Sequence, residues 1–184
     1  MILEPLTPSD SGALPGELLT ELTAVYASNR AFHALSGDFP DPDDIRPEQV
    51  AAALADELAV PGAEVLLARS EGRVVGVGIT LDRHPDPADP DPWIGLLMVD
   101  VRQQRKGYGR EFVGMIEERF REEGREGVRL AVLEGNDAGF AFWGSLGYEV
   151  VDRRKDRGAE RPCAVFRKPL TRQESPTQDQ QPYA

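Results

Sequence analysis

The chain has 184 residues, a little over one domain at about 150 residues each, and a chain of this size buries about 70% of the surface that its unfolded form exposes. Hydrophobic residues make up 40% and charged residues 29%, which excludes a wholly disordered chain, and no apolar run approaches the ~18–20 residues of a membrane span. Against 21 bases stand 32 acids, a net charge of −11 that repels nucleic acid and anionic lipid; it serves solubility and would welcome a cationic substrate. The single cysteine, Cys163, forms no internal disulfide, and with only His33 and His84 beside it there is no zinc cluster. With no basic flank or apolar core in MILEPLTPSD, the expectation is a cytoplasmic, metal-free protein.

Ile2–Glu4 reads as a short strand, closed by Pro5 and the turn-like TPSD. Pro15-Gly16-Glu17 opens a helix whose Leu18, Leu19, Leu22, Val25 and Tyr26 recur on one face, and the pattern frays near Ser36-Gly37-Asp38. FPDPDDIRP is loop, and Pro47-Glu48 opens a second helix with Val50, Ala53, Leu54 and Leu58 as its stripe, stopping before Pro61-Gly62. The period then changes. Val65–Arg69, a turn at Glu71-Gly72 and Val74–Leu81 form a hairpin. Asp82–Pro92, with four aspartates and four prolines, is expected to be an exposed connection. Trp93–Val99 is a continuous apolar run, hence a fully buried central strand. Gly107–Glu123 carries Phe112, Val113, Ile116 and Phe120 on one helical face. Val128–Leu133 is a strand, Asp137–Leu146 a short helix, and Tyr148–Arg154 and Cys163–Lys168 the last strands. This order predicts one α/β domain of the α+β type over 1–170. It has a mixed, mostly antiparallel sheet of about seven strands flanked by about four helices. TRQESPTQDQQPYA, 171–184, has little to bury and is expected to be a loose tail.

Chemistry concentrates in VDVRQQRKGYGR, Val99–Arg110, between the buried strand and the best helix. Gly107 and Gly109 let the backbone turn tightly, and the unpaired N–H groups of a helix's first turn favour an anion. Arg102, Arg105, Lys106 and Arg110 add four positive charges with no acid among them. The alternative is a solvated helix start. A nucleotide P-loop is excluded because G-x-x-x-x-G-K-[ST] is absent, and a dinucleotide fold because Phe112 stands where its third glycine belongs.

Gln104-Arg105-Lys106-Gly107-Tyr108-Gly109 matches the Arg/Gln-x-x-Gly-x-Gly/Ala acyl-CoA motif, and Ala141–Glu149 (AFWGSLGYE) a second motif downstream. On these residues, in this order, the chain resembles the GNAT superfamily of N-acetyltransferases. The resemblance covers about Ile2–Leu170 and is strongest over Trp93–Val150. It implies an acetyl-CoA-dependent transferase (an acyltransferase) acting on a primary amine of a small molecule or peptide, the amine attacking the thioester directly. Acetyl-CoA would be held by the N–H groups of Gln104–Gly109, with Arg110, by Leu97, Met98 and Val99 pairing with its pantetheine through a gap where this strand splays from the next, and by Asn136, Phe142 and Trp143. A main-chain N–H of Leu97 or Met98 would be the oxyanion hole. Asn136 also reads as a plain helix N-cap, and the two roles are compatible.

A lysine-like amine at pH 7 reaches its neutral form at about 4.6 kcal/mol, so a base matters for such an acceptor; Asp91 and Glu134 are the carboxylates expected nearest the cleft. Many family members carry a proton-donating tyrosine in the last helix. Here the position is Trp143, which leaves Tyr108, Tyr148, water or an unprotonated thiolate, and keeps a non-catalytic acyl-CoA-binding regulatory domain as the alternative. Asn29, Phe32 and Asp38 fall where the family's first helices border the acceptor. Cys163 reads as a small buried hydrophobe and His84 as a surface residue. The acidic stretches Phe39–Asp44 and Asp82–Asp91 would draw in a polycation such as a polyamine or aminoglycoside, and aliphatic strand edges near the C-terminal end could pair two subunits.

Overall fold

Strand β2 (Ala63–Ser70) shows how the layers arise. Val65 and Leu67 point to one side, Leu66 and Ala68 to the other, and all four are buried. A strand buried on both faces needs helices on both faces. The computed structural model describes residues 1–7, 14–84, 86, 89–156 and 159–170; the expected turn at Pro8–Asp10 and the stretch 171–184 lie outside the described residues.

Seven strands form one sheet. The others are β1 (Ile2–Pro5), β3 (Arg73–Leu81), β4 (Trp93–Val99), β5 (Gly127–Leu133), β6 (Glu149–Lys155) and β7 (Pro162–Pro169), in the spatial order β1-β2-β3-β4-β5-β7-β6. Every neighbouring pair is antiparallel except β4 and β5, which run parallel. On one face lie α1 (Gly16–Ser28), α2 (Arg30–Ser36) and α3 (Pro47–Leu58), with Leu22, Val25, Val50 and Leu54 against Val65, Leu67 and Val77. On the other lie α4 (Tyr108–Glu122) and α5 (Asp137–Ser145), with Phe112, Val113, Ile116 and Trp143 against Leu66, Ile94, Leu130 and Phe166.

The expected mixed sheet is present, with three differences of detail. First, there are five α-helices among the described residues, because the first predicted one breaks at Asn29. There φ is −94° and ψ 40°, and the side chain turns back to donate to Val25 O at 2.8 Å, competing with the helical ladder.

Second, the aspartate–proline connection is not exposed throughout. Asp89 and Asp91 are buried. Arg129 donates to both, Arg154 to Asp89 (2.7 Å) and Arg167 to Asp91 (2.7 Å), so the acids act as clamps across β5, β6 and β7. Third, β4 is buried at its ends and open in the middle: Gly95 is exposed and Leu96 and Leu97 are half-buried. That opening locates the site.

Candidate functional site

The central strand separates from its parallel neighbour after two residue pairs. Trp93 pairs with Arg129 and Ile94 with Leu130, and beyond them neither strand has a partner across the gap. On β4's other edge the register with β3 skips: Thr80 opposes Ile94 while Ile79 opposes Leu96, which leaves Gly95 as the extra residue of a β-bulge. A bulge bends its strand and sharpens the local twist, here swinging the upper half of β4 away from β5.

Hydrogen-bond parity then fixes what faces the gap. Asp100 N donates to Val75 O at 2.9 Å, and the two residues stand directly opposite in the β3–β4 register. Antiparallel ladders alternate, so Met98 and Leu96 spend their main-chain groups on β3, while those of Leu97 and Val99 point into the wedge.

At the open end of β4 a 3₁₀ turn, Val101–Gln103, leads into a loop that winds through two left-handed residues, Arg105 (φ 63°) and Gly107 (φ 91°), before α4 begins. Alternating handedness of this kind turns successive N–H groups toward one concavity. Among the described residues, the N–H groups of Arg105, Lys106, Gly107, Tyr108, Gly109 and Arg110 donate to no protein acceptor, and α4 has no side-chain cap. Gly107 is there for its φ. Gly109 is there for space: a Cβ would stand 3.2 Å from the Phe142 ring, which packs on this turn from α5.

Of the four expected cations, Arg102 is consumed by Asp100, which accepts at 2.5 and 3.0 Å, and that guanidinium holds the Asp100 carboxyl below the ordinary carboxylate range. Lys106 Nζ donates to Gln103 Oε1 at 2.8 Å, and Arg105, Lys106 and Arg110 have no carboxylate partner among the described residues. Six unpaired donors with three cations outside any ion pair among the described residues make a site for a strongly anionic group such as a diphosphate.

The remaining candidate residues divide. Asn136 Oδ1 accepts from Gly139 N at 2.9 Å, so it caps α5 at the mouth of the wedge. Trp143 is buried and packs edge-on to Phe142 and Tyr148, at ring separations of 5.1 and 5.0 Å. Its indole belongs to the core between α5 and the sheet. Tyr148 is also buried and donates to Glu117 at 3.1 Å; desolvation, then the Glu117 charge, drives its pKa far up, so it gives no proton to a leaving group. The Tyr108 hydroxyl is 3.0 Å from Ser70 Oγ and pins the first turn of α4 to β2.

The two proposed bases lie at opposite ends of the strands. Asp91 precedes β4 at the end where β4 and β5 are joined. Burial favours its neutral form, but hydrogen bonds from Arg167 and Arg129 outweigh that and hold its pKa below the ordinary value. It is a structural ion, badly placed and too weakly basic. Glu134, exposed beyond the last residue of β5, stands at the open end and pairs with Arg153.

The acceptor-side residues are spread out. Phe32 is half-buried and edge-on to His33 at 5.3 Å. Asp38 and Ser36 O accept from Arg161, which also pairs with Asp156 at 2.6 Å, so a single arginine ties the end of α2 to the β6–β7 hairpin. Asn29 reaches the end of β4, donating to Val99 O at 3.2 Å.

A cavity of about 210 Å³ lies on the α1–α3 face of β4, β5 and β7, against Trp93, Ala131, Arg154, Asp156 and Cys163. Ala131 is the first β5 residue past the last β4–β5 pair, so the cavity meets the wedge at its apex. Of the acids expected to attract a polycation, Asp43 is paired with Arg30, and Asp89 and Asp91 with arginines, so those loops present less free charge than their sequence suggests. Two features escaped sequence reasoning: the bulge, signalled by a lone glycine inside an apolar strand run, and the Arg161 tie, which has no local signal.

A family model described as the acetyltransferase (GNAT) family matches residues 28–148, which includes the wedge, the turn and α5. No curated protein sequence matches the chain. Among solved structures, an acetyltransferase from Thermus thermophilus is similar at TM-score 0.66 and 21% identity, over 92% of this chain and 98% of that one. The ribosomal-protein-S18-alanine N-acetyltransferase of Escherichia coli gives TM-score 0.60 and 15% identity, over 93% and 96%. An aminoglycoside 6'-N-acetyltransferase complexed with coenzyme A gives 0.61 and 14%, over 95% and 100%.

Proposed function

We propose that this chain, which belongs to the acetyltransferase (GNAT) family and is an N-acetyltransferase, moves the acetyl group of acetyl-CoA to a primary amine of a small molecule or peptide. The observation that carries the reading is the row of six unpaired N–H groups beside a gap in the sheet. The turn suits the diphosphate, with Arg105, Lys106 and Arg110 as counter-charges. The edge of β4 that faces the wedge suits an extended amide-containing arm, which would bond there as a strand does, with the Asn136 amide at its mouth and Phe142 behind the turn.

In this reading the thioester carbonyl oxygen accepts from Leu97 N–H, the group that ladder parity turns toward the gap; Met98, the other expected donor, faces β3 instead. One such donor is worth about 10²–10³ in rate. The acceptor arrives from the cavity side as a neutral amine, its nitrogen bonds to the carbonyl carbon, and the carbon–sulfur bond breaks. The amine proton passes to water or to Glu134, the carboxylate at the open end. With Tyr108 and Tyr148 engaged elsewhere and an indole at position 143, the sulfur leaves as thiolate, which a thiol of pKa about 8.5 allows.

The test is to incubate the protein with acetyl-CoA and a panel of amines and follow free thiol, with CoA affinity measured in parallel by calorimetry. Amine-dependent thiol release is expected. Tight CoA binding with no release from any amine would favour a non-catalytic acyl-CoA-binding domain. Recruitment of a polycation is part of the same panel: kcat/KM for such an acceptor should fall as salt rises.

A further inference from the structure

The break between α1 and α2 reaches across to the end of the central strand, and it does so through side chains outside the recognised motifs. Ser28 Oγ accepts from Val101 N at 3.1 Å. Asn29 Nδ2 donates to Val99 O at 3.2 Å as well as to Val25 O. Gln104 Nε2 donates to Asn29 Oδ1 at 3.3 Å and to the same Val99 O at 3.1 Å. The Asn29 carboxamide thus gives both hydrogens to carbonyls and receives one on its oxygen, which fixes its orientation.

Beyond Gln104 the next anchors are the Tyr108 hydroxyl at Ser70 and the Phe142 ring at Gly109, both at the start of α4. The residue after Gln104, Arg105, is held in the left-handed region without being glycine. Among the described residues, the N–H groups of 105–110 have no protein acceptor. The strand-side end of the turn is therefore held by Gln104, and the Gln104 side chain in turn by Asn29 and Val99 O.

We propose that Asn29 is a positioning residue for the acetyl-CoA turn: it acts through Gln104 and Val99 O to keep the N–H groups of 105–110 convergent before the ligand arrives. This rests on the reading of that turn as the diphosphate site. It also moves Asn29 from the acceptor to the acetyl-CoA side of the reaction, with a different kinetic signature for each.

The experiment is a double-mutant cycle with Asn29→Ala, Gln104→Ala and the pair, reading the Kd for CoA by calorimetry and KM for both substrates. Loss of a hydrogen-bonded brace of this kind is expected to weaken CoA about tenfold in each single variant. Because the two side chains act as one unit, the double variant is expected to lose about the same tenfold and not a hundredfold. KM for acetyl-CoA should rise in Asn29→Ala while KM for the amine stays within twofold. A merely destabilising change would move neither selectively.

A second readout needs no ligand: backbone order parameters of Arg105–Gly109 should fall from about 0.85 toward 0.6 in Asn29→Ala, with the body of α4 unchanged. CoA binding within twofold of wild type, a multiplicative double variant, or a rise confined to the amine KM would each overturn the inference while leaving the diphosphate site standing. Failure of the wild-type protein to bind CoA would overturn both.

Discussion

Replacing Gly107 by glutamate separates binding from folding. Nothing lies within 4 Å of the position a Cβ would take, so the side chain has room. The cost to the fold is the left-handed φ of 91°, about 1–2 kcal/mol for a residue with a Cβ. In a chain of this length that lowers Tm by about 2–8 °C. The cost to binding is larger. Taking about 6 Å of separation, an effective dielectric of about 40 and about two negative charges on the diphosphate, Coulomb's law gives about 3 kcal/mol of repulsion. This corresponds to about a 100-fold rise in the Kd for CoA. Gly107→Ala carries the same strain without the charge, and should match the glutamate variant in Tm while losing only a few-fold in affinity. Calorimetric titration with CoA on the three proteins, with thermal unfolding followed by circular dichroism, decides it. A folded Gly107→Glu protein that binds CoA within threefold of wild type would refute the anion-site reasoning.

Asp91→Asn should lower Tm and flatten its acid side. The folded pKa of Asp91 is depressed, so its contribution is present above the unfolded value of about 3.9 and is lost as pH falls through that value toward the folded one. Wild-type stability should therefore drop more steeply below about pH 4 than that of the variant, with the pH–rate profile near neutrality unchanged; loss of the acid limb of kcat/KM, where a base protonates, would restore Asp91 as a base. Glu134→Gln should lower kcat/KM by about tenfold or more if this carboxylate takes the amine proton, with CoA affinity unaffected; equal kcat/KM in both proteins would assign the proton to water. Trp143→Phe should destabilise the fold through the hole it leaves beside Phe142 and Tyr148, by about 1–3 kcal/mol, and leave kcat within a few-fold. A kcat loss of about 30-fold in a folded variant would return the indole to the chemistry.

Local patterns carried far because the elements that build the site are local. The amphipathic stripe of α4, the glycine pair at its start and the Asn136 cap all sit within one turn of the group they position. The strand order was legible only as a class, since pairings such as β5 with β7 join residues 30 to 42 positions apart. Charge was misread for a related reason. Asp89 and Asp91 look solvated in a proline-rich run, and only the tertiary fold brings Arg129, Arg154 and Arg167 onto them. The gap beside β4 was expected from the family resemblance, but the apolar run hid the bulge, because hydrophobicity reports burial in general, whereas the bulge at Gly95 opens one edge of a strand whose ends stay covered. The family resemblance puts Asn29 near the acceptor; its contacts to Val99 and Gln104 span 70 and 75 residues and leave no trace in spacing.

The distances from the diphosphate oxygens of bound acetyl-CoA to the main chain, in a crystal of the complex, bear most directly on the account. Several of the N–H groups of residues 105–110 should lie about 2.8–3.1 Å from those oxygens, and Leu97 N within the same range of the thioester oxygen, with the arm running between β4 and β5. Acetyl-CoA bound away from the wedge, or a turn whose N–H groups close onto the protein's own acceptors in the complex, would contradict it.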